Sequence, residues 1–348
     1  MGVSEGDSVD LIIRDDSRCG TDTVGPLTLS WAANSDVGRV RESNEDAASA
    51  RPGKYFVADG MGGHESGEVA SETALRALDG VACGGDRTET QTALIDLLST
   101  AQRRIDEIDP DARRRAGTTA TGLILVTHEE RPHWLVLNIG DSRTYRFADG
   151  VLEQVTVDHS QVQEFIDAGF ITAEEARTDP RRNVITRALG AGMIEPEADF
   201  YSFPAVPGEV LLICTDGLTG ELPDAEIEGI LTDMPAPKDA VATLIAGAHA
   251  FGAHDNVTVV VVAVSDTEAD ELAEADDVTV DVTNDIAEAD EVADDAGGGD
   301  DDAGGGADTD GDQTGTADSD STESGGPEGN SAPSEPATEP AAAEDAPV

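Results

Sequence analysis

Two apolar runs in this sequence end in the same way. Tyr55-Phe56-Val57-Ala58 leads into Asp59-Gly60, and Val210 through Thr215 leads into Asp216-Gly217. A third acid, Asp255, stands just before the apolar run Val257–Val264. A carboxylate delivered to the end of a buried strand is costly unless it is paired or bound to a cation. If the three ends converge, their oxygens suit Mg²⁺ or Mn²⁺ rather than zinc. Asp-Gly is also a strong turn dipeptide, and acids abound in this chain. Spacing alone therefore leaves a metal site and a set of turns both open. Cys214, two residues before Asp216, reads as a small core residue rather than a nucleophile.

Positioning these acids requires strands and helices around them. Leu27, Leu29 and Trp31 alternate with Thr28 and Ser30, as in a half-buried strand. Lys54–Ala58 reads as a strand, and Ser66–Asp79 as a helix stopped by Gly80. Gln91–Ile108 has Leu94, Leu97, Leu98, Ala101 and Ile105 at helical spacing and ends before Pro110. Strands follow at Thr119–Thr127, His133–Ile139 and Ser142–Phe147, and Asp149-Gly150 turns the chain into Val151–Val157. Helices at Gln161–Ala168, Ala173–Arg177 and Asp239–Ala250, with strands at Val210–Thr215 and Asn256–Val264, complete the reading. Strands outnumber helices, do not alternate regularly with them, and form hairpins. That pattern predicts an α+β sandwich rather than a doubly wound parallel sheet.

The 348 residues carry a net charge of −52. From Asp266 to Val348 there are 28 acids and no Lys or Arg. This stretch is low in complexity, with Gly297–Gly299 and Asp300–Asp302 among its runs, and lacks the apolar surface to offset ordering entropy. It is expected to be a disordered tail, 266–348. Residues 1–25 are read as an extension with a short strand at Val9–Ile13, which leaves residues 26–265 as the folded domain. Basic residues are almost all arginine, with lysine only at Lys54 and Lys238. An acidic, lysine-poor surface suits molar salt, where screening shortens to about 3 Å, and points to a halophilic source. The same surface argues against nucleic-acid binding through a basic patch. Three scattered cysteines, no leader and no long apolar run predict a protein of the reducing cytoplasm without a membrane span.

The segments around the acids carry more information than their spacing. Arg41-Glu42-Ser43-Asn44-Glu45-Asp46, Asp59-Gly60-Met61-Gly62-Gly63-His64, Asn138-Ile139-Gly140-Asp141-Ser142-Arg143, Thr215-Asp216-Gly217-Leu218 and His254-Asp255-Asn256-Val257-Thr258 occur in that order. Together they resemble the PPM family, the type 2C protein phosphatases, over roughly residues 27–265. The resemblance implies a four-layer α-β-β-α sandwich with two mainly antiparallel sheets flanked by helices. It implies metal-dependent hydrolysis of phosphoserine and phosphothreonine in proteins by a bridging hydroxide of a binuclear Mn²⁺ or Mg²⁺ centre. By this likeness Asp59 bridges two metals and Gly60 lends a carbonyl. Asp216 and Asp255 are further ligands, Glu45 and Asp46 hold metal-bound waters, and Asp141 serves a weaker third metal. Arg41, rather than Arg39, matches the arginine that grips the phosphate, since its fork fits phosphate bidentately.

Two positions depart from the family pattern. Met61 stands where animal members place a histidine thought to protonate the leaving group, which leaves His64 as a candidate acid. Gly220 stands where many members carry an acid for the third metal, with Glu221 as a partial substitute. Arg181-Arg182 lies in the segment that resembles the family's flap and is read either as an attractor of acidic substrates or as a structural pairing. The expected partners are phosphorylated proteins, Ser/Thr kinases or their targets, met by a monomeric enzyme. A phosphatase dedicated to anti-sigma-factor antagonists and a non-catalytic phosphoprotein scaffold are the alternatives.

Overall fold

A computed structural model of the protein describes residues 11–62, 66–108 and 115–267. Its elements, in chain order, are β1 (Asp16–Val24), β2 (Leu27–Asp36), β3 (Ala47–Arg51), β4 (Lys54–Ala58), β5 (Gly60–Met61), α1 (Ser66–Leu78) and α2 (Arg87–Asp106). There follow β6 (Gly117–Thr118), β7 (Ala120–His128), β8 (Arg131–Ile139), β9 (Arg143–Ala148), β10 (Val151–Gln154), α3 (Gln161–Asp167) and α4 (Ala173–Ala176). The last are β11 (Leu189–Gly190), β12 (Asp199–Pro204), β13 (Val210–Cys214), α5 (Asp216–Thr219), α6 (Asp224–Asp233), α7 (Pro237–Phe251) and β14 (Val257–Asp266). Among the described residues no helix is long and apolar enough to cross a membrane.

Two antiparallel sheets stack face to face. One has the order β1-β2-β14-β13-β9-β10 and the other β12-β8-β7-β4-β3. Period-two alternation sorts their side chains into layers. In β4, Tyr55 and Val57 face the opposite sheet, where they meet Leu211 and Ile213 of β13 and Val260 and Val262 of β14. Phe56 and Ala58 face the other way, onto Leu75 and Leu78 of α1 and Leu94 and Leu98 of α2. Leu212 and Cys214 of β13 pack outward on Leu244 and Ala248 of α7. Three apolar layers between two sheets and two sets of helices make the expected four-layer sandwich. Cys214 is the buried core residue it was read as.

The sandwich differs from the sequence reading at both ends. Residues 16–24, assigned to an extension, pair with β2 along their whole length. Leu11 and Ile12 are buried in the layer beneath α1, and Ile13 bridges to Ala48 instead of standing in a strand of its own. At the other end β14 runs through Asp266, and the Thr267 N–H donates to Pro26 O at 3.1 Å. The folded part thus passes the boundary expected at residue 265. The low-complexity tail and His64 lie outside the described residues. Elsewhere α2 starts four residues early, because Asp86 accepts the N–H groups of Thr88 and Glu89 and satisfies orphan donors of the first turn. The hairpin turn at Asp149-Gly150 forms as read, with both residues at positive φ.

Candidate metal centre

Antiparallel pairing decides where the acids meet. Ala47 pairs with Ala58, so Asp46 and Asp59 are neighbours at one end of the five-stranded sheet. Ala120 pairs with Ile139, which carries the turn bearing Asp141 to the same end. In the facing sheet Cys214 pairs with Val259, which brings Asp216 beside Asp255. Threonines bind the layers there: Thr215 Oγ1 donates to Asp46 Oδ2 at 2.8 Å and accepts the Thr258 N–H at 3.0 Å. The Thr119 and Ser142 hydroxyls lie 2.8 Å apart.

The glycine after each aspartate has a packing role. Neither Gly60 nor Gly217 has positive φ, so neither sits in the left-handed conformation many Asp-Gly turns require. A Cβ on Gly60 would collide with the carbonyl oxygens of Gly67 and Glu45, and one on Gly217 with that of Asn256. Close backbone approach, not turn geometry, demands glycine at both places.

A cleft of ≈ 880 Å³ opens over these ends, lined by Arg41, Glu45, Asp59, Gly60, Asp141, Asp216 and Asp255 among others. Burial, reinforced by neighbouring acids, pushes the Asp59 and Asp141 carboxyls well above the usual range. Burial and Asp255 raise Asp216 to about 6. Burial raises Asp46 to about 7 despite hydrogen bonds from Thr215 and Thr258. Burial also raises Glu45, outweighing the opposing pull of Arg41. Asp216 Oδ1 is buried without a hydrogen-bond partner among the described residues. Crowded carboxylates, an orphaned oxygen and an all-oxygen donor set fit hard divalent cations. Among the described residues no three such side chains close on one point as a finished shell, and the Asp255 carboxylate is turned onto Arg41.

Every site residue of the sequence reading except His64 is among the described residues. Arg41, Glu45, Asp59, Gly60, Asp141, Asp216 and Asp255 line the cleft; Asp46 does not, lying behind them on Thr215. Arg39 is held away, its Nε donating to His249 Nδ1 at 3.1 Å. Met61 lines the cleft. Glu221, named as a partial substitute for the acid missing at Gly220, is engaged with His254: its Oε1 accepts the His254 backbone N–H at 2.9 Å and contacts the ring nitrogen Nδ1 at 2.7 Å. Arg181 pairs with Asp179 and stacks on Phe165, the structural alternative for that position. Thr119 and Arg115 also line the cleft and escaped the sequence reading. Thr119 fixes Asp59 by accepting its backbone N–H at 2.9 Å, a role no motif advertises.

Comparison with known proteins gives one consistent answer. The family described as Protein phosphatase 2C matches residues 39–243. Serine/threonine phosphatase stp of Listeria innocua is 35% identical over 245 residues, 65% of this chain and 92% of that one. Serine/threonine protein phosphatase PstP of Mycobacterium tuberculosis is 39% identical over 243 residues, 69% of this chain and 46% of that one. A crystal structure of the M. tuberculosis phosphatase PstP/Ppp aligns with a TM-score of 0.61 at 38% identity, covering 68% of this chain and 98% of that one. The catalytic domain of PstP in complex with 2 manganese ions aligns with a TM-score of 0.60 at 37% identity, covering 69% and 100%.

Proposed function

Because the chain belongs to the protein phosphatase 2C family and is a protein serine/threonine phosphatase, we propose that Asp59, the Gly60 carbonyl, Asp216 and Asp255 hold its two divalent cations, Mn²⁺ or Mg²⁺. Glu45 and Asp46 fix the surrounding waters, and Asp141 serves a weaker third cation. The observation that carries this reading is the crowding of carboxylates around the unpartnered Asp216 Oδ1. Such a cation pair, when bound, supplies an activated water and a positive clamp on the phosphoryl oxygens.

The chain's own residues do the rest. Arg41 stands at the cleft with its side chain 48% exposed, and its fork passes from Asp255 to the substrate phosphate. Met61 lines the cleft but has no proton to give the departing serine or threonine oxygen. The substrates are phosphoproteins, Ser/Thr kinases or their targets, met by a monomer in a reducing cytoplasm that suits three free cysteines. The retained carboxylate set argues against a decayed scaffold. Hydrolysis of phosphothreonine peptides should require Mn²⁺, stop with chelator and return on adding metal. Full activity in chelator would refute the reading.

A further inference from the structure

The cleft has two cations among its lining residues, Arg41 and Arg115, against five carboxylates. Arg41 is engaged with Asp255. Arg115 is exposed, and among the described residues it forms no hydrogen bond or ion pair. The backbone that follows it is hydrogen-bonded into the small sheet. The Ala191 N–H donates to Ala116 O at 2.6 Å, Gly117 pairs with Met61 and with Gly190, and Thr118 pairs with Gly60. A Cβ placed on Gly192 would lie 3.6 Å from Arg115 Cδ, which shows the stem packed beside that turn. One residue, Ala116, separates Arg115 from the start of β6 at Gly117, a span of at most about 7 Å along the chain. The arginine therefore stands a short peptide span from the Gly60 end of the centre.

An arginine with no partner among the described residues, beside a hydrogen-bonded backbone and inside a cleft otherwise dominated by acids, has an anion as its natural complement. The target phosphate already has the cations and Arg41. A peptide residue two or three positions away would span the distance to Arg115, at roughly 3.3–3.6 Å per residue. We propose that Arg115 is a specificity-determining residue that selects phosphoprotein substrates carrying a second anion, an acidic or phosphorylated side chain, two or three residues from the scissile phosphoresidue. This rests on the phosphatase reading above and names a substrate class for it.

The test uses the full chain with Mn²⁺ and matched phosphothreonine peptides, with Glu or Gln placed two or three residues to either side. Wild type should favour the Glu peptide at one of these positions by about five-fold in kcat/KM, the size of a solvent-exposed charge contact. In Arg115→Ala the ratio should fall to near one, and in Arg115→Glu it should invert toward Lys-bearing peptides. A ratio unchanged in both variants would overturn the assignment. So would an equal loss on p-nitrophenyl phosphate, which has no second anion and would place Arg115 on the scissile phosphate itself. Absence of any Mn²⁺-dependent hydrolysis by wild type would sink the parent reading, and this one with it. An unchanged ratio sinks this one alone.

Discussion

Arg41 Nη2 lies 2.6 Å from Asp255 Oδ2, joining two residues 214 positions apart in sequence. The phosphate-gripping candidate and a metal-ligand candidate thus share one contact. Nearby acids, Asp59 and Glu45 included, help hold the guanidinium charged. In the proposed roles, a phosphate would take the place of Asp255 on the guanidinium and leave that carboxylate available to a cation.

This exchange makes Arg41→Ala informative. Loss of a charge-assisted pair with phosphate should cost about 1.5–3 kcal/mol, or roughly 10- to 150-fold in kcat/KM on phosphopeptides. Arg41→Lys should recover only part, since a point charge cannot form the bidentate fork. Mn²⁺ affinity by calorimetry should hold or rise, because Asp255 loses a competitor. A variant with weaker Mn²⁺ binding and unaltered phosphopeptide kinetics would contradict the assigned role.

Asp59→Asn removes a charge from the middle of the acid cluster while keeping the shape. The amide is a poor cation ligand, and the metal contribution to catalysis is several kcal/mol, so activity should fall at least ~10³-fold. Without metal, the variant should melt higher than wild type, because one buried charge has gone from a repelling set. Retained Mn²⁺ binding with retained turnover would rule out Asp59 as a bridging ligand.

The same cluster sets a pH dependence. Asp46 is raised to about 7 and Asp216 to about 6, whereas in an unfolded chain both titrate near 4. From about pH 4 to 7 the folded state binds more protons than the unfolded one, so this site costs stability as pH rises through that window. Cations bind the deprotonated carboxylates and compete with protons. The thermal midpoint gained from Mn²⁺ should therefore grow from about pH 5 to 7.5. In chelator, Asp216→Asn should lose part of the downward slope of stability seen in wild type. A Mn²⁺ gain that shrinks with rising pH would refute the account.

Sequence and structure agree best where chemistry and periodicity coincide. The buried strands ending in Asp59 and Asp216 were legible because apolar runs and acids are both local signals. β1 was not: its residues, Asp16 to Val24, are polar on both faces at a sheet edge. β12 ends in Pro204 and is nowhere fully buried. α6 hides behind Pro223 with Ile227 and Leu231 as its only buried residues, too few for a clear helical period. The Arg41–Asp255 pair, the backing of Asp46 by Thr215 and the place of Arg115 on the cleft depend on residues brought together by folding, so no window of sequence contains them.

Salt and the acidic tail can be tested together. Residues 1–265 retain a net charge of −24, and screening contracts from about 10 Å at 0.1 M salt to about 3 Å at 1 M. We propose that the fold is tuned to high salt and that catalysis does not need the tail. A chain ending at Thr267 should keep kcat/KM on phosphopeptides within about two-fold of the full chain. Both should gain about 5 °C or more in melting midpoint between 0.1 and 2 M KCl, equivalent to roughly 1–2 kcal/mol. A truncated enzyme with little activity would move the catalytic boundary, and a midpoint that falls with salt would remove the halophilic reading.

Asn256 supplies the sharpest test of how the site is held. Its Nδ2 donates to Val37 O at 2.9 Å and Ser43 O at 3.0 Å, and its Oδ1 accepts the Glu45 N–H at 2.9 Å. One buried amide thus ties both ends of the loop that carries Arg41, directly beside Asp255. Asn256→Ala leaves two carbonyls and an N–H without partners, each worth about 1–3 kcal/mol if it stays dry. The variant should fold with a lower melting midpoint and lose roughly 10- to 100-fold in kcat/KM. If Asn256 acts by placing Arg41, adding Arg41→Ala to it should cost little more, because the two losses share one cause. Fully multiplicative losses in the double variant would show that Asn256 serves the centre by some route other than Arg41.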